Sequence, residues 1–178
     1  MPANKSADEA LAALKSDASK TLGLTVGKHM VVEPGTYIPR ADAQSPPEIL
    51  YPAASPDKTY LIMCLDLDAP FKSLPVLGPI WHWSQSGMKL SSTSSPGKLE
   101  WTEPPVVNYI GPAPPPGAAP HRYAFFLYEQ PAGFDAMAHA PAKGKEVGAK
   151  PRMWFSLDDW AAKVGLGGVL ALNYFTSN

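Results

Sequence analysis

Two carboxylates and two imidazoles stand at the ends of apolar segments, where reactive side chains can meet at the edge of a core. Asp66 and Asp68 follow the unbroken apolar run 60–65, which is typical of a strand buried on both faces. His82 lies between two tryptophans, and His121 follows a proline-rich loop. If these segments converge, the four side chains form one cluster. Each also has a structural interpretation, since Asp is common in turns before Pro and such a His is typical of a half-buried strand.

Three kinds of chemistry fit such a cluster. Metal binding is disfavoured, because the sequence has no His-x-Asp/Glu, His-Glu-x-x-His or Cys-x-x-Cys spacing. Nucleophilic catalysis is disfavoured too, since there is no Gly-x-Ser-x-Gly elbow and the single cysteine, Cys64, lies inside the apolar run. Anion binding is favoured, because imidazoles near a carboxylate have raised pKa values and carry positive charge. Acid–base catalysis by Asp66, His82 and His121, as in a hydrolase, stays open as the alternative.

A hydroxyl and a stiff loop complete the candidate anion site. Tyr123 adds a hydroxyl donor two residues after His121. Prolines stiffen the loop 111–117, and its few amides are available to face a ligand. A stiff loop loses little conformational entropy on binding. An acid in the same site suits a zwitterionic ligand, whose anionic group meets the imidazoles while the acid orients them or meets an ammonium group.

The elements that must position these side chains are mainly strands. Of 178 residues, 21 are proline, which ends helices and is excluded from central strand positions. We therefore expect a single mainly β domain, a β-sandwich with helices at its edge. Helices are predicted at residues 6–22, within an N-terminal helical segment 1–28, and at Leu157–Val164, between the capping Ser156 and Gly165. Strands are predicted at 30–32, 36–38, 48–51, 60–66, 106–110, 123–128 and 168–175, with 81–83 and 88–90 as a hairpin and 91–98 and 131–150 as loops.

Composition argues against several classes of partner and location. The formal net charge is −1, so we expect no nucleic-acid partner and at most peripheral contact with a membrane. No apolar run approaches the roughly 18 residues of a membrane helix. The N-terminus lacks the apolar core of a secretory signal, which predicts a cytoplasmic protein. The lone cysteine is expected to be a small buried hydrophobe without an intrachain disulfide, and no cofactor is implied.

The motifs around these residues resemble those of the phosphatidylethanolamine-binding protein family, and they occur in the family's order between residues 60 and 175. The family's motifs are Asp-Pro-Asp-Ala-Pro, a His-Trp strand, Gly-x-Gly-Pro-Pro followed by His-Arg-Tyr, and a closing segment. Their counterparts here are Asp66-Leu67-Asp68-Ala69-Pro70, Trp81-His82-Trp83, the loop 111–117 with His121-Arg122-Tyr123, and Arg152, Phe155, 165–167 and 173–175.

The resemblance implies a β-sandwich of two antiparallel sheets with one small pocket for phosphate-like anions or phosphoethanolamine headgroups, and no turnover. Family members bind lipid headgroups, modulate kinase signalling or inhibit serine carboxypeptidases, so these are the partners expected of this chain. The implied ligand-binding residues are Asp66, Pro70, His82, Gly111, Pro114, Pro115, His121 and Tyr123, supported by Asp68, Trp83, Arg122 and Arg152. No metal is implied.

The chain departs from the family's pattern at three places. Leu67 replaces the first proline of its motif, and Ala113 stands where glycine is usual. If that position needs a positive φ, Ala would cost about 1 kcal/mol. The chain resembles a form without the C-terminal helix that closes the pocket in animal members. This favours the peptidase-inhibitor branch over the kinase role, with the N-terminal segment as the expected contact.

Two local features are also expected at the motif that ends the apolar run. The resemblance suggests a cis peptide bond between Ala69 and Pro70, which fits a tight strand exit. We expect Asp66 to lie nearer the ligand, and Asp68 to be structural and paired with an arginine, Arg122 or Arg152.

Overall fold

Strands dominate the part of the chain that the computed structural model describes, which is residues 4–31, 33–92, 95–143 and 145–178. The strands are β1 Gly23–Val26, β2 His29–Val31, β3 Thr36–Tyr37, β4 Glu48–Leu50, β5 Tyr60–Asp66, β6 Ile80–Leu90, β7 Lys98–Glu100, β8 His121–Glu129 and β9 Ala171–Ser177, and the helices are α1 Lys5–Ser16, α2 Ala136–His139 and α3 Leu157–Val164. The predicted mainly β class is confirmed. Parts of four predictions fall outside the described residues: 1–3 of the N-terminal segment, Val32, 93 and 94 of the loop 91–98, and 144 of the loop 131–150.

The central strand β5 is buried on both faces, as its unbroken apolar run predicts. Leu61, Met63 and Leu65 belong to one core, which α1 and α3 cover. Ile62 and Cys64 belong to a second core, around which the strands curve. Because both faces are packed, neither face of β5 is exposed to water. Polar residues are therefore tolerated only where the strand ends.

The strands form one sheet, in the order β2-β1-β4-β7-β6-β5-β8-β9-β3. The prediction of two antiparallel sheets is therefore corrected to one mixed sheet, because β3 runs parallel to β9 and β6 belongs to both halves. The first part of β6 pairs with β5, and its last residues, Lys89 and Leu90, continue past β5 and pair with β7.

Strand β6 is continuous where the sequence predicted a hairpin after Gly87. Gly87 has φ +70, but it lies in a bulge, because Tyr60 of β5 pairs with Met88 and Ile62 pairs with Gln85. The positive φ thus marks an irregularity within the strand and not a turn.

The first predicted helix, 6–22, is shorter than expected. It ends at Ser16, and Asp17 then caps a short 3₁₀ turn by accepting a hydrogen bond from the Ser19 amide (2.9 Å). Strand β1 follows, and the sequence analysis missed it. Its signal was the alternation of buried Leu24 and Val26 with less buried neighbours, a period of two that indicates a strand.

The predicted strand 106–110 is reduced to a single bridge between Val107 and Ser84 of β6. The backbone then leaves the ladder at Asn108, whose carbonyl accepts a hydrogen bond from the guanidinium of Arg152 (3.0 Å). The next backbone hydrogen bond to β6, from the amide of Ile110 to the carbonyl of His82 (3.0 Å), is one residue out of register, so the regular ladder does not continue. Strand β7 was also not predicted, and it begins at the end of the predicted loop 91–98. The predicted strand 168–175 corresponds to β9, which begins three residues later than predicted.

Helices α1 and α3 cap one another's N-termini. The carboxylate of Asp158 in α3 accepts hydrogen bonds from the amides of Lys5 (2.7 Å) and Ser6 (3.1 Å) and from the Ser6 hydroxyl. The side chain of Asn4 accepts one from the amide of Leu157 (2.8 Å). An acid at a helix N-terminus is stabilised by the helix dipole, so these bonds hold α1 against the sheet. The prediction of α3 with Ser156 as its cap is confirmed.

None of the helices in the described residues is long and apolar enough to cross a membrane.

Candidate anion-binding site

The ends of β5, β6 and β8 meet at one edge of the sheet. Asp66 is the last residue of β5 and lies opposite Ile80 of β6 and Tyr123 of β8. Side chains alternate between the faces of a strand, so Asp66 shares a face with Cys64, and His121 shares that face with Tyr123. The polar side chains therefore close one end of the second core, and the predicted convergence of three segments is confirmed.

A β-bulge in β6 turns His82 toward the same place. Cys64 pairs with Trp83 and Leu65 with Trp81, so His82 is an extra residue without a partner on β5. Bulges re-aim side chains and are common next to functional sites. The imidazole of His82 lies edge-on to the ring of Tyr123 in β8, with the ring centroids 5.0 Å apart.

A cavity of about 240 Å³ opens between these strand ends and the loop 111–117. All eight residues predicted to bind a ligand line this cavity, namely Asp66, Pro70, His82, Gly111, Pro114, Pro115, His121 and Tyr123. Their role in binding stays a prediction. An apolar part of the wall was not predicted, and it is made by Ala69, Leu77, Ile80, Ile110 and Ala113. The position of Ile80 at the start of a strand antiparallel to β5 was the available signal, because that start must lie near the end of β5.

Both ring nitrogens of His121 hold acceptors. Nδ1 is 2.9 Å from Oδ2 of Asp66, and Nε2 is 3.1 Å from the carbonyl oxygen of Pro70. Because carboxylate and carbonyl oxygens only accept, both nitrogens donate and the ring is an imidazolium. Burial lowers the pKa of His121, but the hydrogen bond and charge of Asp66 outweigh it, so the pKa is raised.

His82 has the opposite electrostatic character. Its Nδ1 donates to the carbonyl oxygen of Ile110 (2.9 Å), which fixes the tautomer and leaves the Nε2 lone pair without a partner among the described residues. Burial lowers the pKa of His82, and the nearby charge of Asp66 only partly offsets this effect. At neutral pH the site therefore pairs a charged imidazole with a neutral one.

The hydroxyl of Tyr123 is buried and donates to no acceptor within the described part of the chain, although the backbone amide of Ala113 lies near enough to its oxygen to lower its pKa slightly. Burial raises the pKa of this phenol far above its usual range, and the charge of Asp66 raises it further, so the group keeps its proton. An unpaired buried hydroxyl costs free energy unless a ligand or water satisfies it, and this one lies in the cavity wall.

Asp68 has the structural role expected of it. Its carboxylate accepts hydrogen bonds from Arg122, at 2.8 Å from the backbone amide, 2.9 Å from Nε and 2.6 Å from the terminal guanidinium nitrogen. Burial raises the pKa of Asp68, but the bonds from Arg122 outweigh it and the pKa is lowered. The prediction of an arginine partner is confirmed, and this pair lies outside the cavity wall.

Arg152, the other candidate partner, instead holds the backbone behind the site. Its buried guanidinium donates to the carbonyls of Val147 (3.0 Å), Trp81 (2.9 Å), His82 (3.2 Å) and Asn108 (3.0 Å), and to the Asn108 side chain (2.8 Å). Burial lowers the pKa of Arg152 to about 10, so it stays charged at neutral pH. Arg152 thus fixes the bulge at His82. It also fixes the segment after Val107, which carries the Ile110 carbonyl that sets the His82 tautomer.

Trp83, predicted to support the site, lies behind it and not in its wall. Its ring is buried and packs edge-on against Trp101 (centroids 5.5 Å apart) and Tyr109 (6.0 Å). The reason is the register that pairs Trp83 with Cys64, which points the indole into the second core.

The loop 111–117 has a cavity-lining end and a turning end. A Cβ at Gly111 would come 2.5 Å from the amide oxygen of Gln44, whose nitrogen donates to the Pro112 carbonyl (3.2 Å), so a larger residue there would displace the Gln44 side chain and this bond. Gly117 has φ +81, whereas Ala113 is not among the residues with positive φ. The strain considered for alanine at position 113 is therefore absent.

The Ala69–Pro70 peptide bond beside the cavity is cis, as expected.

Two other kinds of site find little support. Within the described residues, no group of three His, Cys, Asp or Glu is arranged to hold a metal ion. Burial raises the pKa of the Cys64 thiol well above its usual range, which keeps it protonated and a poor nucleophile. The cavity instead offers hydrogen-bonding groups to a small polar ligand.

Sequence comparison gives the family. A family model described as phosphatidylethanolamine-binding protein matches residues 28–175, which is most of the chain. The chain belongs to the phosphatidylethanolamine-binding protein family. The resemblance carried by the motifs is thus confirmed, and the match also extends toward the N-terminus beyond the motifs.

Two relatives in this family have informative names. The protein named Carboxypeptidase Y inhibitor of Saccharomyces cerevisiae is 27% identical over 149 residues, which cover 78% of this chain and 64% of the relative, so the chain spans less than two thirds of that relative's length. Phomoidride biosynthesis cluster protein N of Talaromyces stipitatus is 27% identical over 164 residues, which cover 86% of this chain and 82% of the relative.

A solved structure shares the fold. The crystal structure of carboxypeptidase Y inhibitor complexed with the cognate proteinase superposes with a TM-score of 0.70 and covers 98% of this chain and 93% of that chain. The identity is 23%, so this similarity supports the family's fold and not a shared partner.

Proposed function

We propose that the cavity binds a phosphate-like oxyanion, including the phosphoethanolamine headgroup, and that the protein acts as a non-catalytic regulator. The observation that carries the proposal is the buried Tyr123 hydroxyl, which donates to no acceptor in the described residues and lies beside the imidazole of His82. Such a group is stabilised by an acceptor from a ligand. The apolar wall of the cavity lowers the local dielectric, which strengthens hydrogen bonds made inside.

Titration with phosphoethanolamine, followed by NMR of the histidine rings, tests the anion site. The ring signals of His82 should shift with saturation, whereas those of His139, outside the cavity wall, should not. Tyr123→Phe should weaken binding about tenfold, since it removes one hydrogen bond to a charged group. Tyr37→Phe is the matched control, because its side chain is half exposed and its hydroxyl bonds to Asn178 (3.0 Å), with both residues outside the cavity wall. Unmoved His82 signals at millimolar ligand would remove the proposal.

For a macromolecular partner, the proposal is a serine carboxypeptidase. It rests on membership of the family and on the relative named Carboxypeptidase Y inhibitor. The N-terminal segment is the proposed contact, and α1 presents an exposed outer face while Ala7 and Leu14 are buried.

A mixing assay with carboxypeptidase Y tests this partner. Micromolar protein should lower peptidase activity, and Tyr123→Phe should inhibit as well as the parent protein if the contact lies outside the cavity. Asp158→Ala, which removes the acid that caps α1, should weaken inhibition. Peptidase activity that is unchanged by the parent protein rules this partner out.

A second candidate function is acid–base catalysis by Asp66, His82 and His121. The buried imidazole–carboxylate pair and the neutral imidazole beside it favour this candidate, and one relative is named after a biosynthesis cluster. Incubation with phosphoesters and peptides in the presence of a chelator separates it from binding. Turnover that disappears in His82→Ala supports catalysis, and the absence of turnover supports the binding protein.

A further inference from the structure

The cavity wall holds two imidazoles whose protons are fixed by protein acceptors and a hydroxyl whose proton has no acceptor in the described residues, and this pattern restricts what can bind. His121 donates both of its protons within the protein, to Asp66 and to the Pro70 carbonyl. It therefore has no proton left for a ligand unless one of these bonds breaks. The sequence predicted that His121 donates directly to an anion. With both protons already donated within the protein, the ring instead contributes a positive charge held in a fixed position in the cavity wall.

Among the described side chains that line the cavity, His82 and Tyr123 each keep a polar atom for a ligand, whereas both oxygens of Asp66 already accept hydrogen bonds. The Ile110 carbonyl takes the Nδ1 proton of His82, so Nε2 of the neutral ring carries a lone pair and accepts. The Tyr123 hydroxyl has no acceptor in the described residues and is free to donate. The two rings are in contact, with centroids 5.0 Å apart, so one small group can reach both.

A fully ionised oxyanion offers acceptors only, and it would place an oxygen lone pair against the lone pair of His82. A singly protonated oxyanion offers one hydroxyl and several acceptors, which match one acceptor and one donor in the wall. We propose, building on the proposed anion site, that the cavity selects oxyanions that bring one acidic proton, such as a singly protonated phosphate monoester, and that a fully ionised phosphodiester enters only with a proton added to His82.

Burial opposes that added proton most, and the positive charges of Arg152 and His121 oppose it further. Arg152 lies behind its backbone, with the guanidinium 3.2 Å from the His82 carbonyl, and the imidazolium of His121 lies across the cavity. The charge of Asp66 favours protonation and partly offsets these effects, and its carboxylate already pairs with His121. A ligand that carries its own proton avoids placing a third positive charge in this enclosed space.

Methyl phosphate and dimethyl phosphate are matched probes for this inference, because they differ mainly in one acidic proton. At about pH 5.5 most methyl phosphate is singly protonated, since the second pKa of a phosphate monoester is near 6, whereas dimethyl phosphate is fully ionised. Calorimetry in two buffers of different ionisation enthalpy measures the protons taken up on binding. We expect almost none for methyl phosphate, about one for dimethyl phosphate, and at least about tenfold weaker binding of the diester.

Ring ¹⁵N chemical shifts locate the proton independently of affinity. His82 should stay neutral with its proton on Nδ1 when methyl phosphate binds, and should become an imidazolium when dimethyl phosphate binds. His82→Gln supplies an amide that both donates and accepts, so it should bind the diester without proton uptake. Tyr123→Phe should weaken both esters by a similar factor.

Three results would overturn the inference. These are equal binding of the two esters without proton uptake, protonation of His82 by methyl phosphate, and unchanged proton uptake with the diester in His82→Gln. In each of these the anion site itself survives. If neither ester binds, the proposed anion site fails together with the inference.

Discussion

Two regions of the molecule each hold an imidazole against a carboxylate at a similar distance. In the cavity, Nδ1 of His121 is 2.9 Å from Asp66, and only 1% and 6% of these side chains are exposed. At the surface, Nε2 of His29, the first residue of β2, is 2.7 Å from Asp42, with 29% and 30% of the side chains exposed. The surface contact is the shorter of the two, so distance alone cannot explain why the pKa shift falls on the imidazole in one pair and on the acid in the other.

The two pairs differ in burial and in whether the imidazole has a second partner. His121 has the Pro70 carbonyl on its other nitrogen, whereas no second hydrogen bond from His29 is found in the described residues. At the surface the effect falls on the acid: the hydrogen bond from His29 lowers the pKa of Asp42, and Lys28, 3.8 Å away, adds to it. In the buried pair the pKa of the imidazole is raised, and in the exposed pair the pKa of the acid is lowered.

Removal of the two acids should give the largest contrast. Asp66→Asn leaves His121 buried without its counter-charge, and loss of one partner of a buried pair costs about 3 kcal/mol of unfolding free energy. Asp42→Asn, the matched substitution at the surface, should leave the denaturation midpoint nearly unchanged, because water replaces the lost contact. Urea denaturation at pH 7 measures both. Equal losses would mean that burial and the second acceptor do not distinguish the two pairs.

Histidine titrations should separate the cavity residues by direction. NMR should find the pKa of His121 above the usual value of about 6.5 and that of His82 below it, because Asp66 stabilises one charge while burial opposes the other. The stability linkage has opposite signs. The contribution of His121 is complete below about pH 6.5 and is lost as pH rises through its folded pKa, whereas that of His82 is complete above about pH 6.5 and is lost as pH falls. Two rings that titrate together would contradict the assignment of charge.

The sequence was sufficient for the parts of the site that depend on one segment and its immediate neighbours. An apolar run followed by acids predicted both the burial of β5 and the position of Asp66 at its end. The resemblance predicted the cis bond at Ala69–Pro70, and a nearby arginine was a natural partner for Asp68. These features follow from local pattern and simple charge pairing.

Features that depend on contacts between distant segments could not be predicted. The bulge at His82 exists because β5 and β6 pair in a shifted register, and single-sequence periodicity carries no register. The guanidinium of Arg152 crosses from residue 152 to the carbonyls of residues 81, 82 and 108, a separation at which no local rule applies. The union of the strands into one sheet likewise depends on where β6 passes β5.

Added salt should give the smallest contrast between the two pairs. Ionic screening weakens interactions between exposed charges and affects buried ones much less. An increase from about 0.05 to 0.5 M NaCl, which shortens the screening length severalfold, should therefore move the pKa of Asp42 back toward its usual value, since Lys28 and His29 are screened from it. The pKa of His121 should change less, because Asp66 is enclosed with it.

NMR titration of the Asp42 carboxyl carbon and of the His121 ring at the two salt concentrations measures both pKa values. Asp68, whose carboxylate is buried against Arg122, is the internal control for an acid beyond the reach of salt. A larger salt response at His121 than at Asp42 would mean that water and ions reach the cavity pair, and that the charge of His121 is set by solvent and not by its two acceptors.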